Sequence, residues 1–146
     1  MASRIRAPAI PYNPPTMNTR LLMSLSAAFL AAAGIGITFL PQELLVHAGA
    51  RPEGSLVLLV QLLGASYLGV AALNWMSRGN RMGGIYGRPV TMANLLHFTV
   101  GALALVKATV VQPVPVEVMA TAAVYSVFGI WFALVLFTHP ADESAK

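Results

Sequence analysis

Apolar residues in this chain gather into four long runs, at about 21–40, 55–76, 90–111 and 116–137, separated by short polar breaks. Each run holds about 20 to 22 residues, enough for a helix at 1.5 Å per residue to cross a hydrocarbon core roughly 30 Å thick. The pattern predicts an all-α integral membrane protein with four spans. Pro41 ends the first run, 42–48 predicts a short interfacial helix, and Gln112-Pro113-Val114-Pro115 predicts a tight turn between the third and fourth spans. The middle break, 74–89, is the one polar island in the centre of the chain. It holds Arg78, Arg81 and Arg88 together with Gly79, Gly83, Gly84 and Gly87.

The predicted domain layout is a flexible proline-rich arm at 1–19, a transmembrane domain at 20–138 and a short polar tail at 139–146. The arm carries Pro8, Pro11, Pro14 and Pro15, which disfavour helix. Met17 directly precedes Asn18-Thr19-Arg20 and offers an alternative start. A secretory signal with cleavage near Ala31-Ala32-Ala33 competes with a retained first span, but the apolar run continues through Ile35, Ile37 and Phe39, beyond what such a signal needs.

Each span carries small or weakly polar residues at helical spacing. They are Ser24, Ala27, Ala31, Gly34 and Thr38 in the first; Gln61, Gly64, Tyr67, Ala71 and Asn74 in the second; Thr91, Asn94, His97, Gly101, Ala104 and Ala108 in the third; Ala122, Ser126, Gly129 and Ala133 in the fourth. In lipid, where apolar contact gives helices no reason to associate, such stripes mark the faces that meet. With short connections they predict an up-down-up-down four-helix bundle.

Composition sharpens the picture. Of 146 residues 57% are hydrophobic and only 10% charged, with a mean hydropathy of +0.71, against roughly 25% charged in an ordinary soluble domain. The net charge of +4 does not point to nucleic acid, because the cations sit beside the apolar runs. Arg4, Arg6, Arg20, Arg78, Arg81, Arg88 and Lys146 fall on one side, and Arg51 and Lys107 on the other. The positive-inside bias therefore predicts a bacterial inner-membrane protein with both termini cytoplasmic. The absence of cysteine excludes thiol redox chemistry, disulfides and cysteine nucleophiles.

Few residues are candidates for chemistry. His97 lies roughly 10 Å inside the third span, and an ionisable group at that depth is a functional candidate. Asn94 shares its face and can orient the imidazole, with Tyr67 and Gln61 as further members of an intramembrane polar site. The alternative is a neutral imidazole hydrogen-bonded inside the bundle. The spans hold no second histidine, cysteine or acidic residue to complete a metal or haem site, so no cofactor is expected unless two copies of the chain juxtapose their His97 side chains. Lys107 and Glu117 lie at similar depth across the 112–115 turn and form either an interfacial pair or, at Lys107 with Gln61, an anion site. Arg78, Arg81 and Arg88 with Gly83 and Gly84 offer either simple attraction to anionic phospholipid headgroups or a headgroup cradle ahead of the third helix. No serine elbow, zinc-protease motif or phosphate-binding loop is present.

The stretch from Gly64 through Asn74-Trp75, then Arg78-Gly79, Gly83-Gly84-Ile85-Tyr86-Gly87-Arg88-Pro89 and Asn94 to Leu103, resembles a family of small bacterial four-span membrane proteins without an assigned reaction. The resemblance runs from about 18 to 107 and implies an inner-membrane location. In size and span count the chain is also loosely similar to DoxX-like proteins. Neither resemblance implies catalytic residues. The residues alone favour a non-enzymatic accessory subunit that docks through its small-residue faces and basic loop onto a larger membrane complex or onto its own copy. The alternatives are a small transporter or lipid- or quinone-binding protein with a pocket around His97, and a lipid-modifying enzyme with His97 as base.

Overall fold

A computed structural model of the chain describes residues 18–79 and 87–138. Among these, five helices and no strand are present: α1 (Thr19–Phe39), α2 (Pro41–His47), α3 (Gly54–Ser77), α4 (Gly87–Val111) and α5 (Val116–Thr138). The side chain of Asn18 caps α1 by accepting the Leu21 N–H at 3.0 Å, which satisfies one of the amides a helix start leaves open. Pro41 stops α1 and then serves as the first residue of α2, where its missing N–H costs nothing. Gly49, at φ +76°, turns the chain out of α2 toward α3. The arm, the residues 80–86 of the basic loop and the tail lie outside the described residues.

The four long helices run antiparallel in chain order. Ser26 meets Asn74 while Thr38 meets Gly64, and Gly101 meets Tyr125 while Thr99 meets Gly129, so in each pair one helix ascends as the other descends. Two tight pairs result, α1 with α3 and α4 with α5. The first is tight because both helices present glycine. A Cβ at Gly64 would lie 2.7 Å from the Thr38 amide nitrogen and 3.0 Å from the Gly34 carbonyl oxygen, and one at Gly34 would lie 3.0 Å from the Gly64 carbonyl. Backbone packs on backbone, the arrangement lipid rewards because every close contact adds dispersion. This closeness leaves the Thr38 hydroxyl buried without a hydrogen-bond partner.

The two pairs meet across larger side chains. Phe98 of α4 lies 4.8 Å from Phe128 and 5.7 Å from Phe132 of α5, ring centre to ring centre, and Phe29 of α1 lies 5.8 Å from Phe128. Leu22, Met23 and Leu30 complete this core, all fully buried. The buried residues gather in the half of the bundle nearest the start of α1 and the end of α5, which is also the end bearing Arg20, Arg78 and Arg88. That half is closed by large side chains. The opposite half is lined by smaller ones.

All four long helices are long and apolar enough to span a membrane. Leu59, Leu62, Leu103 and Ile130 are each more than half exposed on the outside of the bundle. An apolar belt of this extent far exceeds what a soluble monomer leaves to water and fits a lipid surround.

One ion pair is present among the described residues, His47 Nε2 to Glu117 Oε1 at 3.8 Å, joining α2 to the first turn of α5. The expected Lys107–Glu117 pair does not form. Lys107 follows the fully buried Phe98 by nine residues, which at 100° per residue places it on the opposite, exposed side of α4. Both members of the His47–Glu117 pair are largely exposed, so Glu117→Gln is expected to change unfolding free energy by about 0.5 kcal/mol or less. Chemical denaturation in detergent checks this.

Candidate functional site

Two polar clusters occupy the interior, one above the other. The first lies in the packed half. Asn74 of α3 and Asn94 of α4 exchange amide hydrogen bonds, Asn74 Nδ2 donating to Asn94 Oδ1 at 2.7 Å and Asn94 Nδ2 donating to Asn74 Oδ1 at 2.6 Å. Asn74 Nδ2 also donates to Ser26 Oγ on α1 at 3.0 Å, Ser26 donates to the Met23 carbonyl at 3.1 Å, and Asn94 Nδ2 donates to the Val90 carbonyl at 2.9 Å. Ser26, Asn74 and Asn94 are all completely buried. Every amide donor and acceptor of the pair is satisfied, so the cluster ties three helices in one register without a net polar cost.

The second cluster lies near mid-depth. Tyr125 of α5 donates its hydroxyl to Tyr67 Oη of α3 at 2.7 Å, and its oxygen lies 3.4 Å from His97 Nε2 of α4. The His97 ring stands edge-on to Tyr67, centroids 5.2 Å apart, and 5.6 Å from Tyr125. Gly101, one turn beyond His97, makes this possible. A Cβ there would fall 2.5 Å from Tyr125 Cε1, so only glycine leaves the phenol ring its place.

This cluster floors a cavity of about 410 Å³. Its walls come from all four long helices: Phe29, Ala33 and Ile37 of α1, Tyr67 of α3, Gly101, Ala104 and Leu105 of α4, and Thr121 and Tyr125 of α5. The cavity therefore lies on the bundle axis and runs from mid-depth toward the end opposite the arginines. Ala104 is exposed, so the space communicates with the outside of the bundle. No charged residue lines it.

The residues expected to form an intramembrane site separate into three groups. Tyr67 and His97 do come together. Asn94 does not orient the imidazole, because its amide is engaged by Asn74 and Val90. Gln61 is exposed on α3 nearly two turns from Tyr67, and neither it nor Lys107 forms a side-chain hydrogen bond or ion pair among the described residues, so they build no joint anion site. Tyr125, the hub of the cluster, was not foreseen. The signal lay in depth, since Tyr67 is about ten residues from the end of α3 and His97 about ten from the start of α4, and a tyrosine near the middle of α5 reaches the same level.

The basic loop is only partly described. Arg81, Gly83 and Gly84 lie outside the described residues. Arg78 folds back on its own helix, donating from Nη1 to the Trp75 carbonyl at 2.6 Å with its guanidinium 3.7 Å over the Trp75 ring, which closes the end of α3 and holds the cation at the interface. Arg88 is exposed in the first turn of α4.

Among the described residues, no group of three or more histidine, cysteine, aspartate or glutamate side chains is placed to hold a metal. The chain matches no protein-family model, no curated protein and no solved structure.

Proposed function

We propose that this protein is a membrane-embedded binding protein for a small lipid-soluble molecule, held on the bundle axis above Tyr67, Tyr125 and His97. One observation carries this reading: the cavity of about 410 Å³, walled by four helices and floored by hydrogen-bonding groups. Its size falls within the range of roughly 300 to 1,000 Å³ usual for ligand sites, and an apolar wall with a few convergent polar groups is their usual chemistry. The small residues that favoured docking onto a partner are in good part used within the bundle, Gly34 against Gly64, Gly101 against Tyr125 and Gly129 against Thr99. That leaves less of the accessory-subunit reading to stand on.

The host membrane in this proposal is the bacterial inner membrane, with the start of α1 and the end of α5 cytoplasmic. Arg20, Arg78 and Arg88 sit at that end of the helices, where anionic headgroups attract them, and Arg51 sits at the other. Reporter fusions in the connection between α3 and α4 are expected to read cytoplasmic, and a periplasmic readout would refute the orientation.

The binding reading is tested by native mass spectrometry of the full chain extracted in mild detergent. Wild-type protein is expected to carry a non-covalent adduct of lipid-soluble character. Ala33→Leu, which places three more carbons in the cavity wall, is expected to lower its occupancy at least fivefold, while Ala72→Leu on the exposed face of α3 leaves it unchanged. Equal occupancy in both variants would refute the site.

A further inference from the structure

The hydrogen-bond directions and the depth of the cavity floor narrow the ligand to one chemical class. This inference rests on the binding reading above and goes on to say what is bound, and which way round.

The protons at the floor can be followed one by one. The Thr121 hydroxyl donates to the Glu117 carbonyl at 2.7 Å, so its proton is engaged within α5. The Tyr125 hydroxyl donates to Tyr67 at 2.7 Å. The Tyr67 hydroxyl therefore accepts from Tyr125, and its own proton has no acceptor in the protein. Tyr67 lines the cavity, so a hydrogen-bond donor is left facing the space. A buried donor without a partner costs about 1 to 3 kcal/mol. The complementary ligand group is an acceptor.

Depth decides the charge of that acceptor. Tyr125 is nine residues into α5, roughly 13 Å from the nearer end of the helix and close to the middle of a 30 Å hydrocarbon core. A phosphate or carboxylate placed there would lose its hydration with no cation among the cavity residues to compensate. A phospholipid, whose charged head stays at the interface, cannot put its polar end on this floor. The wall above the floor, Ala33, Ile37, Ala104 and Leu105, is aliphatic and continues toward the end opposite the arginines. It suits an alkyl or isoprenoid chain that leaves in that direction.

From these features we infer that the cavity takes a neutral lipid whose head is a carbonyl, of the class that includes alkylated quinones, bound head inward. The carbonyl oxygen accepts from Tyr67 at mid-membrane, and the chain runs out between α1 and α4. Tyr125 is a positioning residue here. By donating to Tyr67 it fixes the direction of the Tyr67 proton, and it sits where it does because residue 101 has no Cβ.

The test is a competition read by native mass spectrometry of the full chain in detergent, with three probes of equal chain length at equal concentration: 2-decyl-1,4-benzoquinone, decylbenzene and decanoate. Wild-type protein is expected to take the quinone about tenfold more readily than decylbenzene, and decanoate least. Tyr67→Phe is expected to keep decylbenzene binding while bringing the quinone preference to within about twofold of unity, because only the donor is removed. Tyr125→Phe is expected to weaken the preference without removing the donor. If none of the three probes binds, the binding function itself falls. If quinone and decylbenzene bind equally to wild type, if the preference survives Tyr67→Phe, or if decanoate binds best, the cavity is a binding site and the carbonyl assignment is wrong.

Discussion

Gly64→Val is expected to separate α1 from α3 and to cost about 3 kcal/mol or more of stability, the upper end of what overpacking a close contact does. The first added carbon already meets the Thr38 side chain, and lies 2.7 Å from the Thr38 amide nitrogen and 3.0 Å from the Gly34 carbonyl. A flexible side chain could rotate away from such a contact, but the backbone of a neighbouring helix cannot. Relief requires the helices to move apart, and that movement gives up the dispersion contacts along the rest of their interface. Gly69 on the same helix supplies the control, since a Cβ there meets nothing within 4 Å. Gly69→Val is expected to be neutral or slightly stabilising through helix propensity. Reversible unfolding in detergent, followed by far-UV circular dichroism, measures both. Equal losses at the two sites would show that the close approach of α1 and α3 does not hold the bundle.

Asn74→Leu is expected to have the second largest effect, a loss of about 2 to 3 kcal/mol. The substitution removes three hydrogen bonds at once, the two exchanged with Asn94 and the one to Ser26. It also leaves the Asn94 carbonyl oxygen facing leucine in a fully buried place. The expense lies chiefly in that stranded group. The double variant Asn74→Leu with Asn94→Leu is therefore expected to recover more than half of the loss, because no unpaired amide remains and both side chains are of similar size. A double-mutant cycle with the two single variants yields a coupling energy, expected to be about 1 to 2 kcal/mol, at the top of what interhelical hydrogen bonds contribute in membranes. Additive losses would mean that the amides act independently. Neither variant touches the cavity, so adduct occupancy should persist in whatever fraction stays folded.

The packed half and the open half thus do different jobs. Around Ser26, Asn74 and Asn94 every polar group is matched within the protein, and the aromatic cluster of Phe98, Phe128 and Phe132 fills the remaining space. Around Tyr67 and Tyr125 one donor remains over and the space is not filled. A site that must admit a molecule needs such a difference, since a fully satisfied and fully packed interior has nothing to offer a ligand.

Much of this was legible in the chain as written. Four apolar runs of spanning length, ended by Pro41, by the glycines and arginines of the central break and by Pro113 and Pro115, fix four long helices within a few residues of where they lie, and the short helix after Pro41 is where its sequence placed it. Run length and helix breakers are local properties, and each acts through its own few residues. The glycines that permit close packing were visible too, because helical spacing alone puts Gly34 or Gly64 on a face. Partnership was not legible. Asn94 stands three residues before His97 on the same helix, yet its amide belongs to Asn74, twenty residues away on another. Glu117 faces His47 instead of Lys107. Tyr125 meets Tyr67 from 58 residues away. Periodicity gives the angle of a side chain about its own helix, but the rotation and height of one helix against its neighbour come from the packing of all four. Only that packing decides which polar groups satisfy each other and which single proton is left over.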